Sequence, residues 1–179
     1  MVVDPSDRER AERFAAIFER DYGRVHAYAA RRVGRDAADD VAADTLMIAW
    51  RRRDRLPPDP LPWLYGIARN VVARHHHSGA RGRALRRSLE LERPAPSVDP
   101  ADDPAVAAAW AALAPRDREV LALIAWEELP VRDAAKVLGC SAAVFSVRLH
   151  RARRRFEAEL ARGAVPASRP AVPDLTEAS

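Results

Sequence analysis

The chain reads as all-α, with two small helical domains joined by a flexible linker. Three observations predict this. Ala supplies about a fifth of the 179 residues, while aromatics are only 6% and Gly numbers seven. That balance favours helix over sheet and over turn-rich β architectures. Apolar residues recur at three- and four-residue steps in two separate stretches. Between those stretches the periodicity lapses, and Pro94, Pro96, Pro100 and Pro104 appear. The expected organisation is a first domain at 9–78, a linker at 79–103, a second domain at 104–162 and a disordered tail at 163–179. Each domain has roughly 60–70 residues, near the lower limit for a self-sufficient core.

In the first domain, Phe14, Ile17, Phe18, Val25, Tyr28 and Ala29 make an amphipathic helix that breaks at Gly34. Val41, Thr45, Ile48 and Ala49 mark a second helix, with Asp36, Asp39, Asp40 and Asp44 early in it. Acids near a helix N-terminus suit the macrodipole, which explains Asp36 well and Asp44, two turns in, poorly. The stretch RLPPDPLP at 55–62 must be a loop, because its prolines forbid helix. Trp63, Leu64, Ile67, Ala68, Val71 and Val72 stripe a third helix that emerges from Pro62.

The second domain opens with a short helix through Val106, Ala109, Trp110 and Leu113. Pro115 starts another, through Val120, Leu121 and Ile124. Pro130 separates that one from VRDAAKVL, Gly139 stops the latter, and Ser141 caps a last helix through Val144, Val147, Leu149, Phe156 and Leu160. From Gly163 onward, GAVPASRPAVPDLTEAS is a Pro/Ala/Ser tail without core-forming content.

Composition excludes several classes. No run of about 20 apolar residues exists, so no helical membrane span is expected. One Cys rules out an internal disulfide framework, and the charged start MVVDPSDRERAERF has no secretory apolar core. The expected location is the cytoplasm. The net charge of +4 is modest, so any case for nucleic acid rests on where the charge sits. No Gly-rich phosphate loop or nucleophilic triad spacing appears, so no enzyme and no cofactor are expected. His75, His76 and His77 do not make a metal site, because consecutive helical residues face different ways and no Cys or acid lies near in sequence. Trp50, Trp63 and Trp110 are expected in the core, and Cys140 as a small buried packing residue.

The charge sits on a helix-turn-helix pattern. Ala135 falls where two helices must approach closely, Gly139 supplies the turn, and Phe145 anchors the second helix. That second helix carries Arg148, Arg151, Arg153, Arg154 and Arg155. Its early turns can enter a major groove, and its later arginines can grip phosphates. A solvated αα-hairpin is the plain alternative, and the spacing together with the arginine density favours DNA.

These segments resemble a bacterial RNA polymerase sigma factor of the extracytoplasmic-function (ECF) subfamily of the sigma-70 family. DAADDVAADTLMIAW and PWLYGIARNVV are similar to region two, and LAPRDREVLALIAWEELPVRDAAKVLGCS with VRLHRARRRFEAEL is similar to region four. The resemblance implies that Asp39, Asp40, Asp44 and Leu46 bind core RNA polymerase through the clamp. It implies that Arg69, Asn70 and Arg74 engage the minus-ten element, fed by the loop 55–62. By analogy with base-flipping proteins, that rigid Pro-rich loop is expected to form one wall of a pocket for an unstacked base. It implies that the helix-turn-helix reads the minus-35 element, with Arg132, Ser141, Ser146, Arg148, His150, Arg151 and Arg154 as contacts. An anti-sigma factor is a further partner by the same resemblance.

The chain departs from the family pattern at Ala43, where Gln is usual, and at Asp44, where Glu is usual. It departs again in the reading helix, where Val144, Phe145, Ser146, Val147 and Arg148 replace a Thr-Val-(Lys/Arg)-Ser-Arg run. The alternative function is a stand-alone helix-turn-helix regulator, which would have no use for the acidic helix. A metal-dependent enzyme using the His run is a third reading, without a second ligand cluster to support it.

Overall fold

The computed structural model describes residues 5–86 and 103–164. Residues 87–102 of the expected linker, and nearly all of the expected tail, lie outside the described residues. The described residues form seven α-helices and one 3₁₀ turn, with no strand. The first domain holds α1 (Pro5–Val33), α2 (Arg35–Arg51), the 3₁₀ turn Arg53–Arg55 and α3 (Leu61–Arg86). The second holds α4 (Pro104–Ala112), α5 (Pro115–Ala125), α6 (Val131–Leu138) and α7 (Ala142–Ala164).

The stops are those that the sequence supplies. Gly34 turns the chain between α1 and α2 at φ 84, and its N–H donates to the Ala30 carbonyl at 3.0 Å. Gly139 ends α6 in the left-handed region, at φ 63 and ψ 37. The Cys140 N–H then reaches back to the Ala135 carbonyl at 3.0 Å, closing the helix end. Asp103 caps α4 through the Ala105 N–H at 2.8 Å, and Ser141 caps α7 through the Val144 N–H at 3.2 Å. One boundary differs: α3 continues to Arg86, through residues assigned to the linker. The stretch after His77 has no proline before Pro94, and its Ala, Leu and Arg residues carry the helix past Gly79 and Gly82.

In the first domain, Phe14, Ile17, Val25 and Tyr28 of α1 meet Val41 and Leu46 of α2 and Leu64, Tyr65 and Val71 of α3. In the second, Ala135 and Phe145 are both buried, as the helix-turn-helix spacing requires. The two domains are also in contact. Helix α3 packs on α6, and buried residues from both domains join in one apolar cluster. Trp63 and Cys140 are half-buried against that cluster, in line with a packing role. Trp50 is a correction: it is 39% exposed, held at the surface edge-on to Phe14 and beneath the Arg53 guanidinium. Leu46 lies four residues before Trp50 and so near it on α2, but Trp50 also stands in phase with exposed Asp36 and Ala43, and at the edge of the stripe it is Leu46 that packs inward.

Candidate polymerase and nucleic-acid interfaces

The outward face of α2 carries Asp36, Asp39, Asp40, Ala43, Asp44, Met47 and Trp50, all exposed. Its first half is therefore acidic and its second half apolar. Leu46 does not belong to it. It is 4% exposed and packs in the core, because it lies one position from Thr45 and three from Ala49 on the inward stripe. The apolar part of this face falls instead to Met47 and Trp50. Asp39 and Asp40 are also unequal. The Tyr22 hydroxyl donates to Asp39 Oδ1 at 3.3 Å, and His26 Nε2 lies 3.2 Å from the same oxygen. Asp39 is thus tied to α1, whereas Asp40 turns towards α3.

Between α2 and α3 runs a cleft of about 770 Å³ lined by Asp40, Asp44, Asn70, Arg74, His75 and His77. The sequence places Asn70 in a different helix from the acids, and the packing of α2 on α3 brings them onto the walls of one cleft. Arg69, Asn70 and Arg74 are all exposed. His77 Nδ1 lies 2.7 Å from the Ala73 carbonyl, one turn back on its own helix. Among the described residues, no group of three or more His, Cys, Asp or Glu side chains is arranged to hold a metal ion. At the near end of the domain, the Arg13 guanidinium donates to the Pro57 carbonyl at 3.0 Å and ties the Pro-rich loop to α1.

On α7, Phe145, Leu149 and Ala152 are buried, and the opposite face is open. Ser146, Arg148, His150, Arg151 and Arg154 are exposed, as are Ser141 at the cap and Arg132 at the start of α6. The two serines are committed to backbone: Ser141 Oγ accepts from Val144, and Ser146 Oγ donates to the Ala142 carbonyl at 2.9 Å. Arg155 is a correction to the phosphate-gripping group. Its guanidinium donates to Asp117 of α5 at 2.6 Å, so it braces the domain. Asp117 itself sits in the first turn of α5, where a carboxylate is favoured.

Sequence reasoning missed the polar cluster between the domains. Glu127 takes Arg31 at 2.5 Å and Arg32 at 3.0 Å, and its side chain is 1% exposed. Glu119 takes Arg32 Nε at 2.9 Å and the Tyr28 hydroxyl at 3.0 Å. The Arg32 guanidinium also lies 3.4 Å from the Tyr28 ring centre. Burial pushes the Tyr28 hydroxyl well above its ordinary pKa. Burial works against the Arg32 charge, but Tyr28, Glu119 and Glu127 outweigh it and hold Arg32 protonated. No local signal marks these residues, because the partners are 87 to 96 positions apart.

The comparisons with known proteins follow the same two-part division. The family model "Sigma-70 region 2" matches residues 17–82, and "Sigma-70, region 4" matches residues 105–156. Among solved structures, the sigma factor RpoE of Bartonella quintana, in complex with the anti-sigma factor NepR, is 25% identical. That match covers 84% of this chain and 98% of that one, with a TM-score of 0.65. CnrH, in complex with the cytosolic domain of CnrY, is 28% identical, covers 83% of this chain and 88% of its own, and has a TM-score of 0.59. No curated protein sequence matches the chain. Among the described residues no helix is long and apolar enough to cross a membrane. With regions 2 and 4 matched in order over most of its length, an acidic face on one domain and a helix-turn-helix on the other, the chain belongs to the sigma-70 family, as a sigma factor of the extracytoplasmic-function subfamily that directs core RNA polymerase to promoter DNA.

Proposed function

We propose that the two domains divide promoter recognition, with α2 docking on core polymerase, α3 opening the minus-ten element and α7 reading the minus-35 element. The observation that carries this reading is the opposition of charge between the two exposed faces. Asp40 and Asp44 stand on α2 beside exposed Met47 and Trp50, a mixed surface suited to a basic helical partner. Arg148, Arg151 and Arg154 stand on the open face of α7, where phosphates and base edges are the complementary groups. Asn70 and Arg74, across the cleft from the acids, supply a bidentate base partner and a phosphate partner for the melted strand.

The chain contributes binding and no catalysis, with the phosphoryl-transfer chemistry belonging to the polymerase. It acts in the cytoplasm, where that enzyme is. An anti-sigma factor is the further partner we propose, since RpoE of Bartonella quintana is in complex with one and its match spans nearly the whole of that chain. Run-off transcription with core polymerase, with and without this protein, tests the reading. Promoter-dependent transcripts are expected only with it. Transcription unaffected by the protein on every template of a genomic promoter library overturns the proposal.

A further inference from the structure

Five large apolar side chains are exposed among the described residues: Phe18, Met47, Trp50, Val144 and Val147. The first three lie on the outer side of α1 and α2. The other two stand on the first turns of α7. Val144 is 43% exposed and Val147 is 51% exposed. They are three positions apart and so share one face, and Arg151 continues it a turn later. Val is a poorer helix former than Ala or Arg, so solvent gives no reason for two of them here. The polar side chains around them are already engaged. Ser141 caps the helix, and Ser146 is bonded to its own preceding turn. What the first two turns offer outward is therefore two branched methyl-bearing groups beside the Arg148 guanidinium.

In the major groove the one apolar feature of an unmodified base pair is the C5-methyl of thymine, and the strongest arginine partner is the O6/N7 edge of guanine. The N-terminal turns of a recognition helix are the part that touches base edges. We infer that Val144 and Val147 are specificity-determining residues that read thymine methyl groups in the upstream element, next to a guanine read by Arg148. This rests on the proposal that α7 is the reading helix. It gives this chain a partly apolar code at positions where a hydroxyl or a charge would select by hydrogen bonding.

The test uses holoenzyme and two pools of promoter duplex with the upstream element randomised, one pool made with thymine and one with uracil in that element. Uracil removes only the methyl and keeps the pairing. Enriched thymine-pool sequences should hold thymine at one or two fixed positions beside a guanine. Replacing each such thymine by uracil should weaken binding about fourfold, as expected for one methyl group returned to water. Val144→Ala and Val147→Ala, which favour helix, should each abolish the thymine-over-uracil preference at one position, while Val147→Thr, with one methyl kept, should retain it in part. Enrichment of a sequence with no thymine preference overturns the inference, and so does a preference that both Ala variants keep. A pool without any enrichment overturns both the inference and, separately, the assignment of α7 as reader.

Discussion

Arg32 of α1 and Glu127 of the loop after α5 are 95 positions apart in the chain and 3.0 Å apart in space. Glu127 also holds Arg31 and is almost completely buried. Truncating it takes from Arg31 its carboxylate and leaves Arg32, only 11% exposed, with Glu119 and the Tyr28 carbonyl. Glu127→Ala should therefore cost about 3 kcal/mol of the contact between the domains. Small-angle scattering should report a larger radius of gyration for the variant, with helix content kept. A variant as compact and as stable as the parent would show that the apolar packing of α3 on α6 suffices without the ion pairs.

The arginines of α7 should separate by function. Arg155 is tied to Asp117, so Arg155→Ala should lower stability by roughly 1 kcal/mol, a modest loss because its side chain is 60% exposed. It should leave the salt dependence of promoter binding unchanged. Arg154→Ala should weaken all sequences alike and lower the salt slope by about one unit. Arg148→Ala should cost roughly 1–3 kcal/mol on the cognate site and relax one or two base preferences. Salt titrations on cognate and scrambled upstream elements, beside thermal melts, distinguish the three. A lower salt slope for Arg155→Ala would return it to the phosphate-binding group.

Asp40→Arg should put a like charge against a basic clamp surface. If the contact is desolvated the loss is on the order of 2–5 kcal/mol. Asp39→Ala should cost less, because Asp39 already shares its carboxylate with Tyr22 and His26. Pull-down of core polymerase measures both. Equal retention of polymerase by folded Asp40→Arg protein would remove the acidic face from the interface.

Asn70→Ala should reduce melting of the minus-ten element. Because Asn70 shares a cleft with Asp40 and Asp44, the measurement must include polymerase affinity on the same sample, and that affinity should change by less than about twofold, since the acids are untouched. Permanganate reactivity of the promoter bubble reads the melting. A bubble as reactive as the parent's would make Asn70 a bystander on the cleft wall.

Alkali should unfold the protein through its buried tyrosines. Burial first, then the Glu127 charge, pushes Tyr65 up to about 12, and Tyr28 is raised well above 10. In the unfolded chain both ionise near pH 10. The folded state keeps them neutral, so their contribution is complete below about pH 10 and is lost as the pH rises towards 12. For Tyr65 the loss is on the order of 2 kcal/mol. Urea midpoints at pH 9 and pH 11.5 should fall accordingly, and phenolate absorbance should rise together with unfolding. Phenolate formation by all three tyrosines of a still-folded chain would contradict it.

Local patterning in the sequence determined the helices and their ends. Gly34 and Gly139 mark boundaries because glycine freely takes the positive φ that turns the chain, and Pro115 and Pro130 because proline fixes φ and lacks an N–H, each acting within its own few residues. The spacing of Ala135, Gly139 and Phe145 determined the helix-turn-helix in the same way, since the two helices are adjacent in the chain. Only the tertiary structure decided which face each helix turns outward against its neighbours. It buried Leu46 and exposed Trp50, although the two are four residues apart on one stripe when α2 is read alone. It set Asn70 opposite Asp44, assigned Arg155 to Asp117, and closed Arg31 and Arg32 onto Glu119 and Glu127. Such contacts depend on helices brought together from distant parts of the chain, and a long-range ion pair leaves no period, cap or spacing in the residues that make it.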